Sequence, residues 1–152
     1  MSPIEIALSP VENIAHAIQL SVAPVFLLSG IGVFLGVLTQ RLARVIDRAR
    51  ALEQRQEHAS TETERTHLDH ELKMLARRGR YINRAVTSSV LSAIAVALVV
   101  ALIFLSEFLR FPLAGPVSLL FIGAMLALLF GLVNFLVEVR VATLQLRIGK
   151  HS

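Results

Sequence analysis

The chain of 152 residues contains no cysteine. That absence removes disulfides, thiolate catalysis, zinc–cysteine sites and iron–sulfur clusters together, and it leaves the redox compartment open. Charge is also missing over long stretches. No Asp, Glu, Lys or Arg lies between Glu12 and Arg41, between Arg84 and Glu107, or between Arg110 and Glu138, and no Lys or Arg precedes Arg41. Enzyme signatures are lacking as well: there is no Walker loop, dinucleotide fingerprint, HExxH or GxSxG, and no Ser/His/acid grouping on one side of a membrane. The sequence has no internal repeat or low-complexity tract. The expectation is a non-enzyme without a cofactor.

What fills the uncharged stretches is apolar. Hydrophobic residues make up 55% of the chain and charged ones 17%, with a mean hydropathy of +0.67. A soluble domain is about 45–50% apolar and about 25% charged. The apolar cores are 20–38, 85–106 and 117–137, which are 19, 22 and 21 residues long. About 20 such residues carry a helix across a hydrocarbon layer about 30 Å thick. A soluble bundle burying all three would need apolar cover on every side, which the remaining residues cannot supply. The first run is read as a retained span rather than a cleaved signal, since it starts near residue 20 without a basic flank or a small-residue cleavage pattern.

Basic residues fix the expected orientation. Residues 41–84 hold eleven Lys and Arg, residues 138–152 hold three, residues 109–115 only Arg110, and residues 1–19 none. By the positive-inside bias the N-terminus faces out, and both the 41–84 insert and the C-terminus face the cytoplasm. The insert also holds seven acidic residues, so its net of +4 equals that of the whole chain. The pI near 10.6 is thereby explained without nucleic acid. Attraction of the basic insert to anionic lipid is the simpler reading.

Inside 41–84 the apolar positions switch to helical spacing. Leu42, Val45, Ile46, Ala49 and Leu52 form one stripe, and Leu68, Leu72, Leu75 and Ile82 another. Between them Glu57-His58-Ala59-Ser60-Thr61-Glu62-Thr63-Glu64 carries no stripe, and Thr61 with Glu64 fits a capping box at the start of a second helix. The fold expected is therefore an all-α membrane protein with three transmembrane helices. A long cytoplasmic antiparallel helical hairpin joins the first span to the second, its coiled-coil-like arms about 25–30 Å long and continuous with the spans. The segments are 1–19 (an outer amphipathic stretch), 20–40 (first span), 41–84 (hairpin), 85–108 (second span), 109–115 (outer loop), 116–137 (third span) and 138–152 (tail). Ser9-Pro10-Val11-Glu12 reads as a helix start, with Val11, Ile14, Ala15 and Ile18 as its apolar stripe, and Pro24 permits a bend.

Four groups of residues are candidates for function. Gly30, Gly32 and Gly36 allow close helix approach, either within the chain, between subunits or along a pore. Arg41, Arg44, Asp47, Arg48, Arg84 and Arg140 form a cytoplasmic charge network, with Asp47 expected opposite residues 77–80 of the return arm. Asn134, Glu138, Thr87, Ser88 and Ser92, beside Ser89, are the polar groups of the spans. Asn134 and Glu138 share a face one turn apart, and a carboxylate there needs protein, a basic neighbour or water. The choice lies between an interface Glu paired with Arg140, Arg84 or Arg41 and an ion-path residue. His67 and His70 with Glu64 and Glu71 lack a third ligand at fixed spacing, so no metal is expected, and His16 and His58 stand alone.

Laid out this way, the chain resembles a bacterial membrane family known as a domain of unknown function, DUF family 2721. The likeness rests on Ala23-Pro24-Val25-Phe26-Leu27-Leu28-Ser29-Gly30-Ile31-Gly32 and on Arg41-Leu42-Ala43-Arg44-Val45-Ile46-Asp47-Arg48-Ala49-Arg50. It continues through 75–78 and Ile82 to Glu138-Val139-Arg140-Val141-Ala142. The resemblance implies three membrane helices in a bacterial inner membrane and supplies no activity. In layout alone the chain is also similar to the ExbB/TolQ/MotA motor proteins, pentamers around a central pore, which implies a homo-oligomer and an ion pathway. A non-conducting scaffold or sensor, whose hairpin binds a protein partner or anionic lipid, is the alternative.

The orientation is testable with single cysteines at Ser2→Cys, Ser60→Cys and Ser152→Cys. An impermeant thiol reagent added to intact cells should reach only the first, and labelling at position 60 from outside would overturn the topology.

Overall fold

The computed structural model describes the backbone of residues 3–109 and 114–148 and the side chains of residues 14–106 and 114–142. Among the described residues there are three helices and no strand: α1 (Pro3–Glu57), α2 (Glu62–Leu109) and α3 (Ala114–Ile148). All three are long and apolar enough to cross a membrane. The expected 109–115 connection lies mostly outside the described residues. So do the side chains of the Ser9-Pro10-Val11-Glu12 signal and of the last ten residues.

One start signal is overturned. α1 begins at Pro3, so Ser9 and Pro10 lie inside a helix rather than at its cap. The fixed φ and missing donor of proline suit a first turn, and Pro3 stands at the first position. The helix also continues through Pro24 without a break. The second start signal falls where the spacing puts it. Thr61 precedes the first residue of α2, and its carbonyl accepts the Arg65 N–H at 3.1 Å, the first bond of the new helix. Glu62 and Glu64 then place negative charge on the positive end of the helix dipole.

The chain forms two compact units. The first consists of Met1–Val33 and Ser89–Leu128. Its interior mixes small and polar residues with β-branched ones: Ala17, Ser21, Ser89, Ser92 and Ala124 are buried together with Ile31, Val96 and Val99. Its exterior is apolar, with Phe26 and Val33 about three-quarters exposed and Leu91, Leu119 and Leu126 open as well. Lipid gives apolar side chains no reason to hide, so close packing and hydrogen bonding decide what goes inside. Ser92 Oγ donates to the Ala124 carbonyl of α3 at 2.7 Å, and Ser21 Oγ to Ala17 of its own helix at 2.7 Å. The expected N-terminal stripe is not the covered face, since Ile14 and Ile18 are exposed while Ala17 is buried.

The second unit consists of Phe34–Ser88 and Leu129–Ser152. Here α1 and α2 pack as the arms of a hairpin. Leu38, Val45, Ile82 and Ala85 form one core, flanked by Phe34, Leu42, Leu75, Val86 and Phe135. Leu52, Ala59 and Leu68 form another, flanked by Leu72 and Leu75. The buried α1 positions 38, 45 and 52 recur every seven residues, and Ala59 extends the series into the turn. A repeat of seven keeps one helix face on its partner. Ile46, expected on this stripe, is exposed. It follows Val45 by about 100° of helix rotation, which carries it onto the flank. The turn closes through His58 N–H to Arg55 O at 3.1 Å and Ala59 N–H to Gln56 O at 3.3 Å. Arg65 Nε also donates to the Ala59 carbonyl at 3.3 Å.

Two substitutions should move hairpin stability in opposite directions. Leu52→Ala removes a buried side chain and should destabilise by about 2–5 kcal/mol. A Cβ at Gly79 would meet Val45 Cγ1 at 3.8 Å, ordinary contact distance. Gly79→Ala should therefore stabilise by about 0.5–1 kcal/mol through helix propensity. Thermal unfolding in mild detergent, followed by helical circular dichroism, reads both.

Candidate functional site

The most unusual side chain of the second unit is Glu138, a carboxylate with 0% exposure. An unpaired charge in such a place would be prohibitive, so its partners decide the local structure. It has two, from two other helices. Arg41 Nη1 of α1 donates to Oε2 at 2.6 Å. Arg78 of α2 donates to Oε1 from Nη2 at 2.9 Å and from Nε at 3.3 Å. One carboxylate of α3 thus ties all three helices within this unit.

Local sequence explains why these arginines and not others reach it. Arg41 lies three residues after Leu38 and four before Val45, on the buried stripe of α1. Arg78 lies three after Leu75 and four before Ile82, on the buried stripe of α2. Glu138 follows the buried Asn134 by one turn on α3. Arg84, off the stripe, is exposed, as is Arg140. An aromatic layer lies beside the clasp. The Arg41 guanidinium sits 5.1 Å from the Phe135 ring centroid, and Phe135 meets Phe34 edge to face at 5.5 Å.

Beside the clasp runs a groove of about 400 Å³. Arg41, Arg44, Arg48 and Arg78 line it together with Val45, Leu75, Val139 and Ala142. Arg48 approaches Glu71 only to 3.9 Å, longer than a hydrogen bond. Arg44 forms no ion pair among the described residues.

The remaining candidates resolve as follows. Asp47 is exposed and forms no ion pair among the described residues, and at that depth it is Val45 that faces Gly79 of the return arm. The acid that meets the return arm is Glu138. Gly30, Gly32 and Gly36 are exposed, and a Cβ on any of them would meet nothing within 4 Å. Among the described residues they meet no packing partner. Asn134 Nδ2 donates to its own Phe130 carbonyl at 2.7 Å, Ser88 Oγ to Ala85 at 3.1 Å and Thr87 Oγ1 to Asn83 at 2.9 Å. Ser92 spends its hydroxyl on Ala124 in the first unit, where Ser89 Oγ is buried without a partner. His67 Nδ1 lies 3.9 Å from Glu71 Oε1, and no group of three metal-ligating residues occurs among the described residues.

Arg78 was the residue that pattern reading passed over. Its signal was there: a charge in phase with Leu75 and Ile82 must either break the stripe or find a buried partner.

A family model described as protein of unknown function (DUF2721) matches residues 21–148, which contain the clasp and the groove. The chain belongs to the DUF2721 family. No curated protein and no solved structure matches it. DUF2721 membership therefore carries no assigned chemistry.

Glu138→Gln should destabilise the protein, because it leaves two guanidiniums without their carboxylate. Both are partly open to solvent, at 31% and 23% exposure, so the loss should sit near the low end of the ~3–5 kcal/mol typical of a broken buried pair. The triple change Arg41→Met, Arg78→Leu, Glu138→Met removes all three charges and should recover most of that loss in a thermal unfolding assay.

Proposed function

We propose that this chain is a non-catalytic membrane scaffold. Three spans anchor a stiff helical hairpin at the cytoplasmic face of an inner membrane, with the N-terminus outside, and copies associate through the uncovered glycine faces. The observation that carries this reading is the state of Glu138. The one carboxylate near the end of the third uncharged run is enclosed and bonded to two arginines, as an internal clasp would be and a free ion ligand would not. Asn134, Ser88, Thr87 and Ser92 are likewise bonded to backbone carbonyls. The well-filled hairpin core suits a part that presents a fixed surface to a partner.

A second reading, an ion or proton pathway along the axis of a homo-oligomer, draws on Gly30, Gly32 and Gly36, which pack against nothing in their own chain. Small exposed residues allow helices of neighbouring copies to approach.

Reconstitution separates the two. Under the scaffold reading the purified protein runs larger than a monomer in mild detergent, yet proteoliposomes show no flux of monovalent cations, anions or protons above empty vesicles. Flux in wild type that Glu138→Gln alters while assembly stays intact would overturn the scaffold reading in favour of the pathway.

A further inference from the structure

We propose that the arginine groove of the second unit binds a phosphate-bearing anion, namely the headgroup phosphate of an anionic lipid. The inference rests on the membrane-anchored reading above and adds a ligand to it.

Charge arithmetic comes first. Arg41, Arg44, Arg48 and Arg78 open on one groove, and its immediate carboxylate is Glu138. Glu138 neutralises one cation but is shared by two, so the clasp itself retains a net positive charge. Glu71 pairs with Arg48 at 3.9 Å, which offsets a second charge without filling its hydrogen-bond donors. Arg44 has no ion pair among the described residues, so four arginines against two carboxylates leave a net of +2. Four guanidiniums thus face a concave space with charge left over.

Geometry narrows the anion. Arg41, Arg44 and Arg48 follow one another at spacings of three and four, so they project from one face of α1, while Arg78 reaches in from α2. Each guanidinium is a planar fork of up to five N–H donors that matches the paired oxygens of a phosphate. Glu138 holds two of the forks in place, so part of the site is organised before any ligand arrives.

The source of the phosphate follows from the walls and the sequence. Val45, Leu75, Val139 and Ala142 make the rest of the groove apolar, which suits the glycerol and upper acyl region of a lipid better than a hydrated free ion. Arg41 is the first charge after the uncharged run 13–40, and Glu138 the first after 111–137. The groove therefore belongs to the stretch of chain where spans give way to charge, the depth at which headgroups lie.

The test uses the full chain in nanodiscs made of phosphatidylcholine with a minority of phosphatidylglycerol. Lipid retained on extraction is counted by native mass spectrometry. Wild type should enrich phosphatidylglycerol over phosphatidylcholine, and inorganic phosphate at high concentration should compete. Arg44→Gln and Arg48→Gln, which leave the Glu138 clasp alone, should each lower the enrichment about fivefold. Arg84→Gln, basic but outside the groove, should not. Equal retention of the two lipids by wild type, an undiminished preference in the Arg44→Gln/Arg48→Gln double variant, or an equal loss in Arg84→Gln would each overturn the site. Stabilisation by inorganic phosphate without any lipid preference would overturn the lipid source and assign the groove to a soluble anion. Failure of wild type to enter nanodiscs at all would overturn the membrane reading beneath the proposal, so the two failures are distinguishable.

Discussion

The seat of Glu138 sets the terms for everything packed around it. A carboxylate removed from water must be met by cations, and here one comes from α1 and one from α2. Because Arg41 and Arg78 each interrupt a buried apolar stripe, only one rotation of each helix delivers both to Glu138. That same rotation turns Leu38 and Val45 toward Ile82 and Ala85. On α3 it places Phe135 under Arg41 and against Phe34. Apolar residues of matching volume would hold the helices about as firmly. What they would not do is fix rotation and register, since an apolar stripe tolerates slippage that a three-way hydrogen-bonded charge does not.

The two units differ in what they bury. In the second, the hairpin arms bury large apolar residues such as Leu38, Leu52 and Ile82, while its stretch of α3 leaves Leu129, Phe130, Val133 and Leu136 exposed. In the first, many large apolar residues face out, and the interior combines Ala17, Ser21, Ser89, Ser92 and Ala124 with Ile31, Val96 and Val99. Serine suits that role because its hydroxyl bonds a carbonyl of its own helix or of a neighbour, as Ser21 and Ser92 do. One chain thus contains two kinds of interior, and the change between them falls at 33/34, 88/89 and 128/129.

This contrast also explains which parts of the structure were legible from residues alone. Three uncharged runs announced three long helices, and the shift to spacings of three and four announced the hairpin core with Val45, Leu52, Leu68 and Ile82. Thr61 announced the start of α2. Where lipid-facing and protein-facing positions are both apolar, however, periodicity carries no signal, so the covered face of the spans could not be read. The glycine face was the natural guess and is uncovered. Glu138 was recognised as needing a partner, and Arg41 was among those proposed for it. Arg78 was concealed in the run Arg77-Arg78-Gly79-Arg80, where only its phase with Leu75 and Ile82 sets it apart. Asp47 stands out in composition as an acid among arginines, but it is out of phase with Leu38 and Val45 and is exposed.

The clasp also has an order in time. A ribosome makes Arg41 first, Arg78 next and Glu138 last, when more than half of α3 has been built. Until then the nascent chain carries two arginines on stripes that are otherwise apolar, with their carboxylate not yet synthesised. The hairpin of α1 and α2 can close its leucine and valine contacts early, but its charged layer waits for the third helix. A chain released before residue 138 would hold an uncompensated pair of cations at its centre, a lasting chemical mark that distinguishes a truncated product from a finished one.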